Sequence, residues 1–135
     1  MNIRELRIGN YIQLYRHAED SYKSIHKIKG IFFEDTLNDY AVELEDGFIV
    51  GAKGFRDIPL TEDILLKCGL GKSDFDNEFI DNVTLKDLVI LYNTEYKTLI
   101  IETSNHDIEL THIHSLHQLQ NLYFALTGEE LNVEL

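Results

Sequence analysis

Ser115-Leu116-His117-Gln118-Leu119-Gln120-Asn121-Leu122-Tyr123-Phe124-Ala125-Leu126-Thr127-Gly128-Glu129-Glu130 reads as a helix with both of its ends written in. Ser115 followed three residues later by Gln118 is a capping box, in which each side chain satisfies a backbone N–H that the first turn leaves open. Gly128 supplies the left-handed residue that closes a helix C-terminus. Leu116, Leu119, Tyr123 and Leu126 recur at three- and four-residue steps with Leu122 beside them, so one face is apolar and needs a sheet or another helix to cover it.

The segments before this helix supply the sheet. Leu88–Tyr92, Thr98–Glu102 and Asp107–Ile113 read as strands joined by turns at 93–96 and 104–105. In the third, alternation places Ile108 and Leu110 inward and Asp107, Glu109 and Thr111 outward. Residues 131–135 alternate as a final strand. Gly71 to Lys86 is acidic and weakly patterned and reads as a loop or irregular strand. Further upstream, Pro59–Gly69 is a short helix. Thr61 is its N-cap, Glu62 and Asp63 sit where the helix dipole favours carboxylates, Leu60 and Leu65 form a staple, and Gly69 ends it.

The first sixty residues read as short strands. Tyr11–Tyr15 is entered through the turn pair Gly9-Asn10, and the polar connection 17–21 leads to a run from Ser24 to Phe33 that Gly30 interrupts as a bulge or bend. Tyr40–Glu45 alternates, Asp46-Gly47 marks a hairpin turn, and Phe48–Val50 and Phe55–Ile58 complete the set. This predicts an α+β protein. Residues 1–58 form a small SH3-like β-barrel subdomain, 59–70 a linking helix, and 71–135 an antiparallel sheet with the capped helix at 115–127. One compact domain, with an open N-terminal sheet covered by the C-terminal helix, is the rival arrangement.

With 135 residues the chain can bury a core without disulfides, and its single cysteine, Cys68, permits no internal one, which fits a reducing cytoplasm. The first residues carry no signal-peptide run, and no stretch approaches the length of a membrane span. The sequon at 82–84 therefore carries no weight. Residues 1–60 hold eight basic against ten acidic side chains, and 61–135 hold four against fourteen, so most of the net charge of −12 lies in the second half. That balance disfavours nucleic acid and suits a basic protein surface or plain solvation.

Four histidines, His106, His112, His114 and His117, fall within twelve residues. On a strand running into a helix, His112, His114 and His117 can converge on a zinc-like ion, with Asp107 or Glu109 beside them. Their spacing matches no established metal motif, and surface histidines explain it as well. Asp74–Glu78 lacks the glycine and glutamate of a calcium loop. Gly69–Ser73 lacks the first glycine and the preceding strand of a phosphate loop. Cys68 sits among leucines, the setting of a buried structural thiol. Ser104–Asp107 holds the residue types of a catalytic triad, but neighbours in a turn rarely reach its geometry. No catalytic residue is assigned and no cofactor is required. The aromatic residues of the first half pack a core or line a groove; Tyr11, Tyr15 and Phe48 are the candidates for contact with a partner, fringed by Arg4, Arg7, Arg16, Lys23, Lys27 and Lys29.

Three stretches carry a resemblance: Glu5-Leu-Arg-Ile-Gly-Asn-Tyr11, Ile58-Pro-Leu-Thr-Glu62 with Leu65-Leu66-Lys67, and His117 through Leu131. They resemble a family of small uncharacterised proteins from gut anaerobes of the Bacteroides group, their prophages and mobile elements. The resemblance implies no activity, ligand or catalytic residue. It implies a context, that of an accessory protein of a phage or mobile element in a bacterial cytoplasm. The expectation is a non-catalytic module that binds a host or phage protein. The alternatives are a metal-dependent enzyme built on the His106–His117 cluster and a structural component of a virion.

Overall fold

The computed structural model describes residues 2–15, 25–81 and 88–135. The polar connection at 17–21, Arg16, Tyr22, Lys23, the sequon at 82–84 and Lys86 lie outside the described residues. The chain divides into two compact units, Met1–Ile58 and Pro59–Leu135. It is α+β, with one antiparallel sheet in each unit and both helices in the second.

The first unit contains β1 (Tyr11–Leu14), β2 (Ile25–Glu34), β3 (Asp39–Leu44), β4 (Ile49–Gly51) and β5 (Phe55–Arg56), in the order β4-β3-β2-β1-β5. A 3-10 turn, Ala52–Gly54, leads into β5. Alternation decides which side chains enter the core: Val42 stands between Ile31 and Val50, and Leu44 opposite Ile28. Ile28, Val42 and Leu44 form one buried cluster with Leu6, Ile12 and Phe55, and the half-buried Ile31 and Val50 pack against it. The ladder between β2 and β3 slips between Ile28 and Gly30, leaving Lys29 as the extra residue of a bulge, so Ile28 and Ile31 reach the same core despite their odd spacing. Asn10 is fully buried because its side-chain oxygen accepts the Arg7 N–H at 2.7 Å while its carbonyl accepts that of Ile28. At Asp46-Gly47 the Leu44 N–H donates to the Phe48 carbonyl, and the Asp46 carboxylate accepts the Phe48 N–H. The closure expected of a barrel is absent among the described residues: β4 and β5 are the two edges of the sheet and do not pair with each other.

The second unit begins with α1 (Glu62–Lys67), capped by Thr61 Oγ1, which accepts the Ile64 N–H. The strands β6 (Leu70–Lys72), β7 (Glu78–Asp81), β8 (Leu88–Asn93), β9 (Thr98–Thr103) and β10 (Asp107–Leu110) then follow as a meander, each paired with its neighbour in sequence. Phe79, Tyr92, Leu99 and Leu110 form one row across four strands, and the first three are buried. Helix α2 (Leu116–Thr127) has the capping box, in which Gln118 Oε1 accepts the N–H groups of His114 and Ser115, and ends on Gly128 at φ 75°. A bridge between Pro59 and Ser115 and a bond from the Leu60 N–H to the His114 carbonyl tie the starts of the two helices together.

Three expectations are corrected here. The stretch from Gly71, expected as a loop or irregular strand, holds most of β6 and all of β7, a regular hairpin whose strands each bury a single apolar side chain, Leu70 and Phe79. The tail 131–135 forms no strand; its Glu134 N–H makes one bond to the Lys67 carbonyl and no ladder follows. The strand at 107–113 stops at Leu110, and Ile108 is 48% exposed because an edge strand lacks a neighbour to cover it. Among the described residues no helix is long and apolar enough to cross a membrane.

Candidate functional site

The β2–β3 turn is held by its own polar groups. Glu34 Oε1 accepts the Thr36 hydroxyl at 2.9 Å and the Thr36 N–H, and the Glu34 carbonyl accepts the Leu37 N–H. Asn38 takes the left-handed conformation at φ 50°, which asparagine tolerates better than most residues. The Asp39 carboxylate accepts the Tyr40 N–H. With the polar residues occupied in shaping the turn, its one apolar residue, Leu37, stands 54% exposed.

Beside Leu37 lies a hollow of about 310 Å³, lined also by Asn38, Asp39, Gly51, Ala52 and Lys53. Its floor depends on Gly51, where a Cβ would come within 3.0 Å of Leu37 Cδ1. Ile49, two residues earlier on β4, projects from the same face as Gly51 and is 52% exposed. The cavity wall thus carries one large apolar side chain, Leu37, with one cation, Lys53, and one carboxylate, Asp39, while Ile49 adds exposed apolar surface on the same face of β4. No partner holds the Lys53 ammonium among the described residues. On the opposite face of the hairpin tip, Phe33 and Tyr40 pair edge to face at 5.5 Å.

Of the aromatic residues singled out from sequence, Tyr11 is half-buried on β1 with Lys27 Nζ 5.9 Å from its ring centre. Lys27 pairs with Tyr11 and accepts the Glu45 N–H, so Phe48, in the turn that follows, shares that end of the sheet. Tyr15 is exposed just past the other end of β1, so the three do not line one groove. Leu37 and Ile49 were missed. The signal was present: a lone leucine inside Asp35-Thr36-Leu37-Asn38-Asp39 has no alternation to carry it inward.

His106, His112 and His114 are exposed, whereas His117 is 1% exposed with its Nδ1 3.1 Å from Ser115 Oγ. Among the described residues no group of three or more His, Cys, Asp or Glu is placed to hold a metal. Cys68 is buried, and burial pushes its thiol up to about 12, so it carries no nucleophilic thiolate at neutral pH. Asp74–Asn77 form the turn between β6 and β7, where Glu78 accepts the Ser73 hydroxyl at 3.0 Å. Lys72 lies on β6 and pairs with Glu62 at 2.9 Å, a contact that raises its pKa.

Comparison with protein-family models, with curated proteins and with solved structures finds no match to this chain.

Proposed function

We propose that this chain is a non-catalytic binding module whose first unit grips an extended segment of another protein at the hollow beside Leu37. The observation that carries this reading is Leu37, an exposed aliphatic side chain lining a cavity floored by Gly51, with Ile49 exposed on the same face of β4. Apolar surface of that kind on a small protein marks an interaction site. An apolar side chain of the partner fills the hollow, and Lys53 and Asp39 at its wall fix polar groups on either side. The order β4-β3-β2-β1-β5, with a 3-10 turn leading into β5, supports reading the unit as an opened SH3-like barrel. The resemblance carried by Glu5–Tyr11 and His117–Leu131 supports a cytoplasmic accessory role in a phage or mobile element, with a host or phage protein as the partner.

The test is capture from nuclease-treated host lysate by the tagged full chain and by its Leu37→Asp variant, after matched melting temperatures show that both are folded. A protein retained in stoichiometric amount by the wild type and lost from the variant supports the reading. Equal retention by both, or capture by neither, overturns it.

A further inference from the structure

The second sheet ends on β10, and no strand among the described residues pairs with its outer edge. The pattern of the β9–β10 hairpin fixes which backbone groups that edge presents. The Thr103 N–H donates to the His106 carbonyl at 2.8 Å, which makes Thr103 and His106 a hydrogen-bonded pair. Antiparallel pairs alternate between bonded and non-bonded. By the observed register, Ile101/Ile108 and Leu99/Leu110 are then bonded, whereas Glu102/Asp107 and Ile100/Glu109 are not. The N–H and C=O groups of Asp107 and Glu109 thus point away from β9 with no partner strand.

Side chains decide what such an edge accepts. Asp107 and Glu109 are exposed on one face, and Glu102 stands directly opposite Asp107 on that same face. Like charges in this position repel, and no cation pairs with any of the three among the described residues. On the other face Ile108 is half out in solvent beside Leu110. A second copy of this chain pairing through β10 would bring three more carboxylates against these, so charge works against self-association. An added strand bearing lysine or arginine on one face and apolar residues on the other relieves the repulsion and covers Ile108.

We propose that β10 is a docking edge for an extended basic segment of another protein, which adds to the second sheet as a further strand. Its backbone bonds to the outward groups of Asp107 and Glu109, its cations lie over Glu102, Asp107 and Glu109, and its apolar side chains lie beside Ile108 and Leu110. This surface belongs wholly to the second unit and stands independently of the hollow beside Leu37.

The probe is a synthetic peptide of about eight residues, an ordinary strand length, alternating lysine and valine. It is titrated into the 15N-labelled full chain at low salt, next to a control in which glutamate replaces lysine. The expected result is that the amides of Asp107 and Glu109 shift most and gain protection from hydrogen exchange, while the control does nothing. Glu109→Pro removes an outward N–H and no bond to β9, and it abolishes binding. The double change Asp107→Asn, Glu109→Gln keeps the backbone, weakens binding by roughly tenfold and flattens its salt dependence. The proposal is overturned if the amides near β10 stay unchanged at millimolar peptide, if the largest shifts centre on Leu37 and Lys53, or if the glutamate control binds equally. Undiminished binding by both the folded Glu109→Pro protein and the Asn/Gln double variant overturns it as well, as does a dimer of the wild type that Glu109→Pro dissociates.

Discussion

Cys68 shows how one buried side chain makes stability depend on pH. Its thiol ionises near 9 when the chain is unfolded and near 12 when it is buried. Between those values the unfolded state loses a proton that the folded state keeps, so stability falls as pH rises from about 9 to about 12. Burial raises Tyr92 and Tyr123 in the same direction, with Asp81 and Glu129 adding to the effect at Tyr123. A Cys68→Ala variant is therefore expected to start less stable at neutral pH, through lost packing, yet to decline less steeply with alkali. Urea midpoints at about pH 8 and about pH 11 measure this, and parallel declines for both proteins would refute it. His117 is the second case. Ser115→Ala removes a cap contact of about 1 kcal/mol and leaves the buried His117 Nδ1 without its hydroxyl, a further ~1–3 kcal/mol. A loss no larger than that of an exposed cap, read by thermal or urea unfolding, would show that Nδ1 finds another partner. The sequence reading grouped His117, in the first turn of the helix, with His112 and His114 on one face of a strand running into it. The strand ends at Leu110 and the chain bends at Thr111-His112, so no strand alternation aligns His112 with His114.

Elements whose signals are local were read correctly from sequence. The capping box at Ser115 and Gln118, the Thr61 cap, the left-handed Gly128, the Asp46-Gly47 turn and the bulge at Gly30 each depend on a few adjacent residues. Elements stabilised mainly by their neighbours were not. The strands β6 and β7 carry one buried apolar residue each, too few to display alternation. The tail at 131–135 alternates, but its Glu134 N–H bonds to the Lys67 carbonyl at the end of α1 and not to a strand. Helix α2 falls between these cases: Leu116 and Leu119 are buried as its periodicity required, but so are His117 and Gln120, and Leu126 is exposed. The turn into β5 gives a prediction at this scale. A Cβ at Gly54 would lie 2.6 Å from Val50 Cγ1, a clash that requires one of them to shift. Gly54→Ala should cost about 1–3 kcal/mol, as overpacking does. Calorimetry that finds the variant as stable as the wild type would show that Val50 rotates away freely.

At the scale of the whole molecule, charge dominates. Fourteen acidic and four basic side chains in residues 61–135 make self-repulsion a standing cost of compactness, one that dissolved salt screens. Raising sodium chloride from about 0.01 to about 0.15 M should lift the melting temperature, and a fall would mean that the few ion pairs, such as Lys72–Glu62, outweigh the repulsion. The candidate site was less legible than the fold. The hollow exists because a glycine on β4 meets a leucine in the turn between β2 and β3, a juxtaposition across fourteen residues that no local pattern announces. The two sheets also differ in how far along the chain each strand must look for its neighbour. In the second, every strand pairs with the one just before it. In the first, Arg56 must return to Gln13 and Phe55 to Leu14. Emerging from a ribosome, the second sheet can zip up strand by strand as it is synthesised. The first stays an unfinished ribbon until Phe55 and Arg56 arrive, and closing so long a loop slows folding. A ribosome stalled just before those two residues would hold a chain whose β1 has one open side, the form in which a chaperone would most readily meet it.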